Sequence, residues 1–391
     1  MKNFIYKNPT KVIFGKGEVH ALAKEISIFG NSVLLVYGGK SIIKNGIYEI
    51  ITNDLKNANI KYYDLPNVTA HITDIYRGIK LVKENNIDVV VALGGGSCID
   101  SAKSIALGAS GDGDISDYLT GKADYHDVEV MPIGSVVTVA ASGSEVDGNS
   151  EIYDRENNFG GRGEWHGEAA TLFPKFTILD PELTFSVPAK LTAYNGACTI
   201  SQGMEQYIND EEATPIQDGF LETIFATSIN SLKVLKENLQ DYDARANMMW
   251  ASALVCNRIL GRGKNCTWQI GRLAHIIMEN HDVSYVESTA IIFPKYLRAV
   301  AKEQSKIIAQ FAKNVLKIDA KSNDYETALA AADWMQEFFS DLGIATTYGE
   351  LGINEKIENL SGMIDIVVDE TGLSSEQVRE IIESSLQGGD Y

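Results

Sequence analysis

The chain is poor in cysteine: Cys98, Cys198, Cys256 and Cys266 are the four among 391 residues. No CxxC occurs, and the spacings match neither a disulfide framework nor a zinc finger. With no signal peptide over residues 1–14, the expected compartment is the reducing cytoplasm. Long apolar runs are lacking too; none reaches the ~18 residues that a membrane span needs. Positive charge is scarce. Against 53 Asp and Glu stand 34 Lys and Arg, for a formal net charge of −19. Such a surface repels phosphate backbones and anionic lipid, so neither nucleic acid nor a membrane is an expected partner.

What is present can build a sizeable core. Apolar residues make up 45% of the chain and charged residues 22%, ordinary values for a globular protein. The length exceeds one compact core, so two domains are expected. In the first half, Val12–Phe14, Ser32–Tyr37, Ile60–Tyr63, Asp88–Leu93 and Met131–Thr138 read as strands. Helical stretches lie between them, over about 43–57 and 74–84 among others, the latter with Ile75, Ile79 and Val82 on one stripe. Uniformly apolar strands alternating with helices predict an α/β fold with a parallel sheet covered on both faces. Past Pro188 helical periodicity takes over, roughly over 191–208, 214–238, 241–260, 268–280, 285–302, 304–316, 323–342 and 374–386. The expected domains are therefore 1–187, α/β and dinucleotide-binding, and 188–391, all helical.

The strongest local signal is LGGGSCIDSAKSIAL, Leu93–Leu107. A buried strand runs into Gly94, Gly95 and Gly96, then Ser97, then a helix. Glycine lets the backbone approach a phosphate, and a helix N-terminus presents unpaired N–H groups at a positive dipole end. Ser97 is placed to cap that helix or to meet a phosphate. Gly38-Gly39-Lys40-Ser41 follows the same logic after the earlier strand. An acidic residue there would grip a ribose 2′-OH; Lys40 and Ser41 stand instead, which favours NADP(H) over NAD(H). Lys175, after a proline and ahead of a strand, is a further candidate for a phosphate or ribose. Gly160–His166 is glycine-rich and reads as a mobile surface loop, with Trp165 and His166 as lesser site candidates.

The segments NPTKVIFGKG (Asn8–Gly17), LLVYGGKSIIKNGIY (Leu34–Tyr48), ALGGGSCIDSAK (Ala92–Lys103), TVAASGSEVDGN (Thr138–Asn149), FPKFTILDPELTFSVP (Phe173–Pro188) and YDARANMMWASAL (Tyr242–Leu254) together resemble the iron-containing (group III) alcohol dehydrogenases, in particular their butanol-dehydrogenase-like branch. The resemblance implies a Rossmann-like nucleotide domain followed by an all-helical domain, a dehydroquinate synthase-like arrangement with the active site between them. It implies that Gly38, Gly39, Ser41, Asn67, Gly94, Gly95, Gly96, Ser97, Asp100, Thr138, Ser142 and Lys175 line the dinucleotide. A homodimer and a small alcohol or aldehyde substrate follow from it as well. Asp147 stands where the branch usually has Asn, and a carboxylate there disfavours a phosphate unless turned away or protonated.

The family's chemistry is hydride transfer assisted by iron or zinc, held by one Asp and three His of the helical domain and acting as a Lewis acid. The resemblance places Cys198 and Gln202 at the first two ligand positions, aligned on Glu205 and Tyr207, and Gly271 and Tyr285 at the other two. His275 matches a further active-site histidine that is not a ligand. None of the usual ligands is kept, so metal at family-like affinity is not expected. A weak site on Cys198 and His275, aided by His281, Glu205 or Glu287, is the alternative.

Three readings remain open. In the first, an oxidoreductase interconverts a small alcohol and aldehyde with NAD(P)(H), and His275 or Tyr285 serves as the catalytic proton donor. In the second, the chain binds a dinucleotide without turning it over, as a sensor or scaffold. In the third, Cys198 is the nucleophile of another reaction type, its thiol pKa lowered in the first turn of a helix starting near Asn195.

Overall fold

The computed structural model describes residues 1–154, 164–168, 172–208, 214–278 and 281–387. The chain divides into two compact units, Lys7–Ser186 and Val187–Tyr391, with Met1–Tyr6 belonging to the second. Among the described residues no helix is long and apolar enough to cross a membrane.

Among the described residues the first unit holds eight strands: β1 Lys11–Phe14, β2 Ser32–Tyr37, β3 Lys61–Leu65, β4 Val89–Gly94, β5 Ile133–Val137, β6 Asn149–Tyr153, β7 Glu164–Glu168 and β8 Phe176–Leu179. Six form one parallel sheet in the order β1-β8-β5-β4-β2-β3. Every residue of β2, β4 and β5 is buried, as interior strands covered by helices on both faces must be. That burial is why their sequences are continuous apolar runs rather than alternations. From β2 the chain crosses outward to β3, then returns to the far side of β2 as β4 and proceeds the other way to β5. The crossovers after β2 and β4 thus leave in opposite directions, and such a switch point opens a crevice at the strands' carboxyl ends.

Three local differences from the sequence expectation have physical causes. The helix expected over 43–57 is two, Ser41–Lys44 and Ile47–Asn57, because Gly46 turns left-handed between them at φ 79. Residues 164–166 of the expected loop belong to β7, antiparallel to β6; that pairing is nonlocal, so no short-range pattern announces it. Residues 160–163 lie outside the described residues. In the second unit, helix Ser361–Thr371 was not anticipated. Its consecutive apolar residues put Ile364 and Val367 inside but Ile366 outside, which blurs the helical stripe.

The second unit is a helical assembly: Ala189–Tyr207, Pro215–Glu237, Tyr242–Cys256, Gln269–Met278, Tyr285–Ala299, Ser305–Phe311, Asp324–Asp341, Ser361–Thr371 and Ser375–Gln387. Its core joins Met204, Leu221, Phe225, Ile270, Leu273, Phe293 and Phe339 among others.

Candidate functional site

The two glycine turns meet. β2 and β4 are neighbours with Tyr37 level with Leu93, so Gly38-Gly39 and Gly94-Gly95-Gly96 emerge side by side at the switch point. Close packing explains two of the glycines. A Cβ on Gly94 would stand 2.6 Å from the Cys98 Sγ, and one on Gly96 2.8 Å from Ser142. Gly39, by contrast, has open space where a Cβ would be. The turn Pro66-Asn67-Val68 is tied to the first: Asn67 N–H donates to the Gly38 carbonyl at 2.9 Å and Val68 N–H to that of Tyr37 at 3.1 Å. Thr138 N–H donates to the Gly94 carbonyl at 3.0 Å.

Helix Gly96–Ser110 starts from Gly95 with no side chain capping it. The Cys98 and Ile99 N–H groups donate to the Gly95 carbonyl at 3.1 and 3.2 Å, which leaves those of Gly96 and Ser97 at the helix start to face an anion. Ser97 is not the cap: the helix begins one residue earlier and Ser97 is an exposed first-turn residue. Gly39, Lys40, Ser41 and Asn67 are exposed around the same crevice, and Ser142 packs over Gly96. The Cys98 thiol lies against Gly38 and Gly94, its pKa pushed up to about 11 by burial. It is a packing residue that joins the turns, a role its sequence position did not disclose.

Lys175 is not brought to this crevice. Its N–H donates to the carbonyl of Ile133, the first residue of β5, at 2.8 Å. In a parallel sheet the loop before a strand lies at the edge opposite the turns that follow strands. The intervening four residues span about 13 Å, beyond a lysine side chain.

Asp100 is half-buried and engaged within the unit. It accepts from Ser144 Oγ at 2.5 Å, and burial raises its pKa to about 7. Fully buried Lys103, one turn on, uses all three of its donors, on Ser144 Oγ at 2.8 Å, Asp147 Oδ1 at 2.9 Å and the Asn149 carbonyl at 2.6 Å. Asp147 therefore faces a buried ammonium. Burial raises neighbouring Glu145 to about 7 as well. Asp100 and Lys103, at i and i+3 on one helix face, were the available sequence signal for this network.

In the helical unit, Cys198 sits in the middle of helix Ala189–Tyr207 and is 1% exposed. The helix starts well before Asn195, so the thiol has no place in a first turn and gains nothing from the dipole there. Gln202 accepts from the Cys256 thiol at 3.0 Å. Gly271 and His275 lie one turn apart on helix Gln269–Met278. A Cβ on Gly271 would be 3.0 Å from the Tyr285 hydroxyl, which lies over the position left bare. The His275 and Tyr285 rings are 5.8 Å apart. Buried Glu205 accepts the Gly271 N–H at 2.9 Å, and burial raises its pKa to about 7. His281 is paired with Glu355 at 2.9 Å. Glu287 completes a capping box with Ser284 and bonds Lys190. Among the described residues no three His, Cys, Asp or Glu side chains are grouped as a metal would need.

Known proteins are similar to this chain in sequence and in architecture. The family model for iron-containing alcohol dehydrogenase matches residues 9–181, and the C-terminal model of that family matches residues 192–386. The NADH-dependent butanol dehydrogenase A of Clostridium acetobutylicum is 37% identical over 98% of this chain and all of its own length. The NADPH-dependent aldehyde reductase of Escherichia coli is 29% identical over 90% of each chain. The crystal structure of NADH-dependent butanol dehydrogenase A from Thermotoga maritima superposes with a TM-score of 0.89 over 99% of each chain, at 28% identity. The chain belongs to the iron-containing alcohol dehydrogenase family.

Proposed function

We propose that this chain is an NAD(P)H-dependent oxidoreductase that interconverts a small alcohol and its aldehyde without a resident metal ion. The observation that carries the reading is the pair of glycine turns at the switch point beside an uncapped helix N-terminus. The α/β unit is the dinucleotide domain in this reading, and the helical unit carries the substrate chemistry. Lys40 and Ser41 favour NADP(H). The named relatives include both NADH- and NADPH-dependent enzymes. The working form is a cytoplasmic homodimer, which sedimentation would test.

The residues at the four ligand positions do not fit iron or zinc. A catalytic zinc takes about three protein ligands. Here Gly271 has no side chain, Tyr285 places a hydroxyl over that gap, Gln202 is engaged by Cys256, and the Cys198 thiol is buried in mid-helix.

Bound NAD(P)H supplies a hydride to the carbonyl carbon of the aldehyde. The carbonyl oxygen then needs a proton, and His275 and Tyr285 are the proposed sources. Such general-acid assistance is worth about 10²- to 10⁴-fold in rate. Purified protein, chelator-treated and checked by elemental analysis, is expected to oxidise NADPH faster than NADH with short aldehydes. His275→Ala is expected to lose that activity.

The second reading, dinucleotide binding without turnover, is favoured by the same replaced ligand positions. Calorimetric binding with a flat absorbance trace across a broad aldehyde panel would select it over the first. The burial of Cys198 in mid-helix weighs against a cysteine nucleophile.

A further inference from the structure

The residue before helix Gln269–Met278 is a tryptophan, whose indole only donates and so cannot cap the helix. Trp268, just before it, is held left-handed at φ 52. The N–H groups of Ile270 and Gly271, the second and third helical residues, are those that an N-cap side chain ordinarily takes. They are met instead by Glu205, from helix Ala189–Tyr207. Glu205 is 5% exposed. The same carboxyl oxygen lies 3.9 Å from where a Gly271 Cβ would be, and the Tyr285 hydroxyl 3.0 Å from that point. His275 follows one turn along the capped helix, beside the Tyr285 ring. Three helices thus converge on one bare stretch of backbone, and Glu205 is what fixes it.

We propose that Glu205 is a positioning residue, whose carboxyl caps helix Gln269–Met278 from outside and so sets His275 against the Tyr285 hydroxyl. The inference rests on the reading above that these two groups serve proton transfer. Glu205 itself touches no reacting atom; it acts through the helix.

Reach and charge are separable here. Glu205→Asp keeps the carboxylate but draws it back by one methylene, away from the Gly271 N–H. Glu205→Gln keeps an acceptor at full reach and removes the charge. In the full-length protein, Glu205→Asp is expected to lower kcat about tenfold or more while KM and the coenzyme Kd stay within about twofold, the pattern of a lost transition-state interaction. Glu205→Gln is expected to stay close to wild type. The His275 ring signals in NMR spectra should move in Glu205→Asp and stay in Glu205→Gln. Full activity in Glu205→Asp, or equal impairment of both variants, overturns the proposal. If the wild type turns over no aldehyde, the oxidoreductase reading fails by itself. The ring signals then still decide: movement in Glu205→Asp alone supports the positioning role, and no movement or equal movement refutes it.

Discussion

The two candidate regions are built by different means. In the α/β unit the parts are backbone: two glycine turns and a helix end, where a Cβ added to Gly94 or Gly96 would come within 2.6 Å of Cys98 or 2.8 Å of Ser142 and force a shift. In the helical unit the family's site is made of side chains projecting from helices. In the reading proposed above, Gly271, Tyr285, Gln202 and Cys198 stand in the ligand positions there, while the helices pack. A backbone site is bound to the fold, since altering it disturbs strand and helix together. A side-chain site can be replaced while the core stays whole. Buried charge differs in the same way. Lys103 meets an opposite charge and two further acceptors, whereas Glu205 is held by neutral N–H groups.

The largest test of this contrast is Lys103→Met. It leaves Asp147 without its cation, beside half-buried Asp100 and buried Glu145. Breaking a buried pair from one side costs about 3–5 kcal/mol, so a urea titration is expected to show a loss of that order. Next is Gly96→Ala. Its Cβ would press on Ser142, and overpacking costs about 1–3 kcal/mol. Dinucleotide affinity measured by calorimetry is expected to fall at least tenfold, while Gly39→Ala, with open space around it, changes stability little.

The sequence disclosed the backbone region better than the side-chain region. SVLLVY and DVVVAL read as buried strands because interior parallel strands carry no polar alternation, and the glycines after them mark where helices return at close range. What the linear pattern left out was edge and direction. Lys175 resembles a phosphate contact until its place before β8, rather than after it, sends it to the opposite edge. The β6–β7 pairing and the capping of one helix by Glu205 from another are nonlocal and leave no spacing to read. At Gly271 the sequence showed a missing side chain; that the Tyr285 hydroxyl fills its place needed coordinates.

A smaller effect comes from pH. Burial raises Asp100, Glu145 and Glu205 to about 7. The folded chain therefore binds more protons than the unfolded chain between the ordinary carboxyl range and pH 7, and stability falls as pH rises through that window. Urea midpoints are expected to decline from about pH 4.5 to about pH 7. Glu205→Gln, with nothing to titrate there, should show a shallower decline; an unchanged slope would mean that Glu205 is not held protonated.

The smallest expected effect sets two exposed lysines against each other. Lys40 follows the β2 turn at the crevice, and Lys175 stands at the far edge of the same sheet. Exposed charges contribute about 0.2–1 kcal/mol when they pair, so Lys40→Ala is expected to weaken NADPH binding by no more than about fivefold. NADH, without the 2′-phosphate, should be nearly indifferent to that change. Lys175→Ala should leave both coenzymes unaffected. Titrating the two variants with both coenzymes at two salt concentrations separates the cases, because a direct lysine–phosphate contact weakens with salt. If Lys175→Ala were the variant that lost NADPH, the dinucleotide would have to reach the amino ends of the strands, and the assignment of the site to the glycine turns would fall with it.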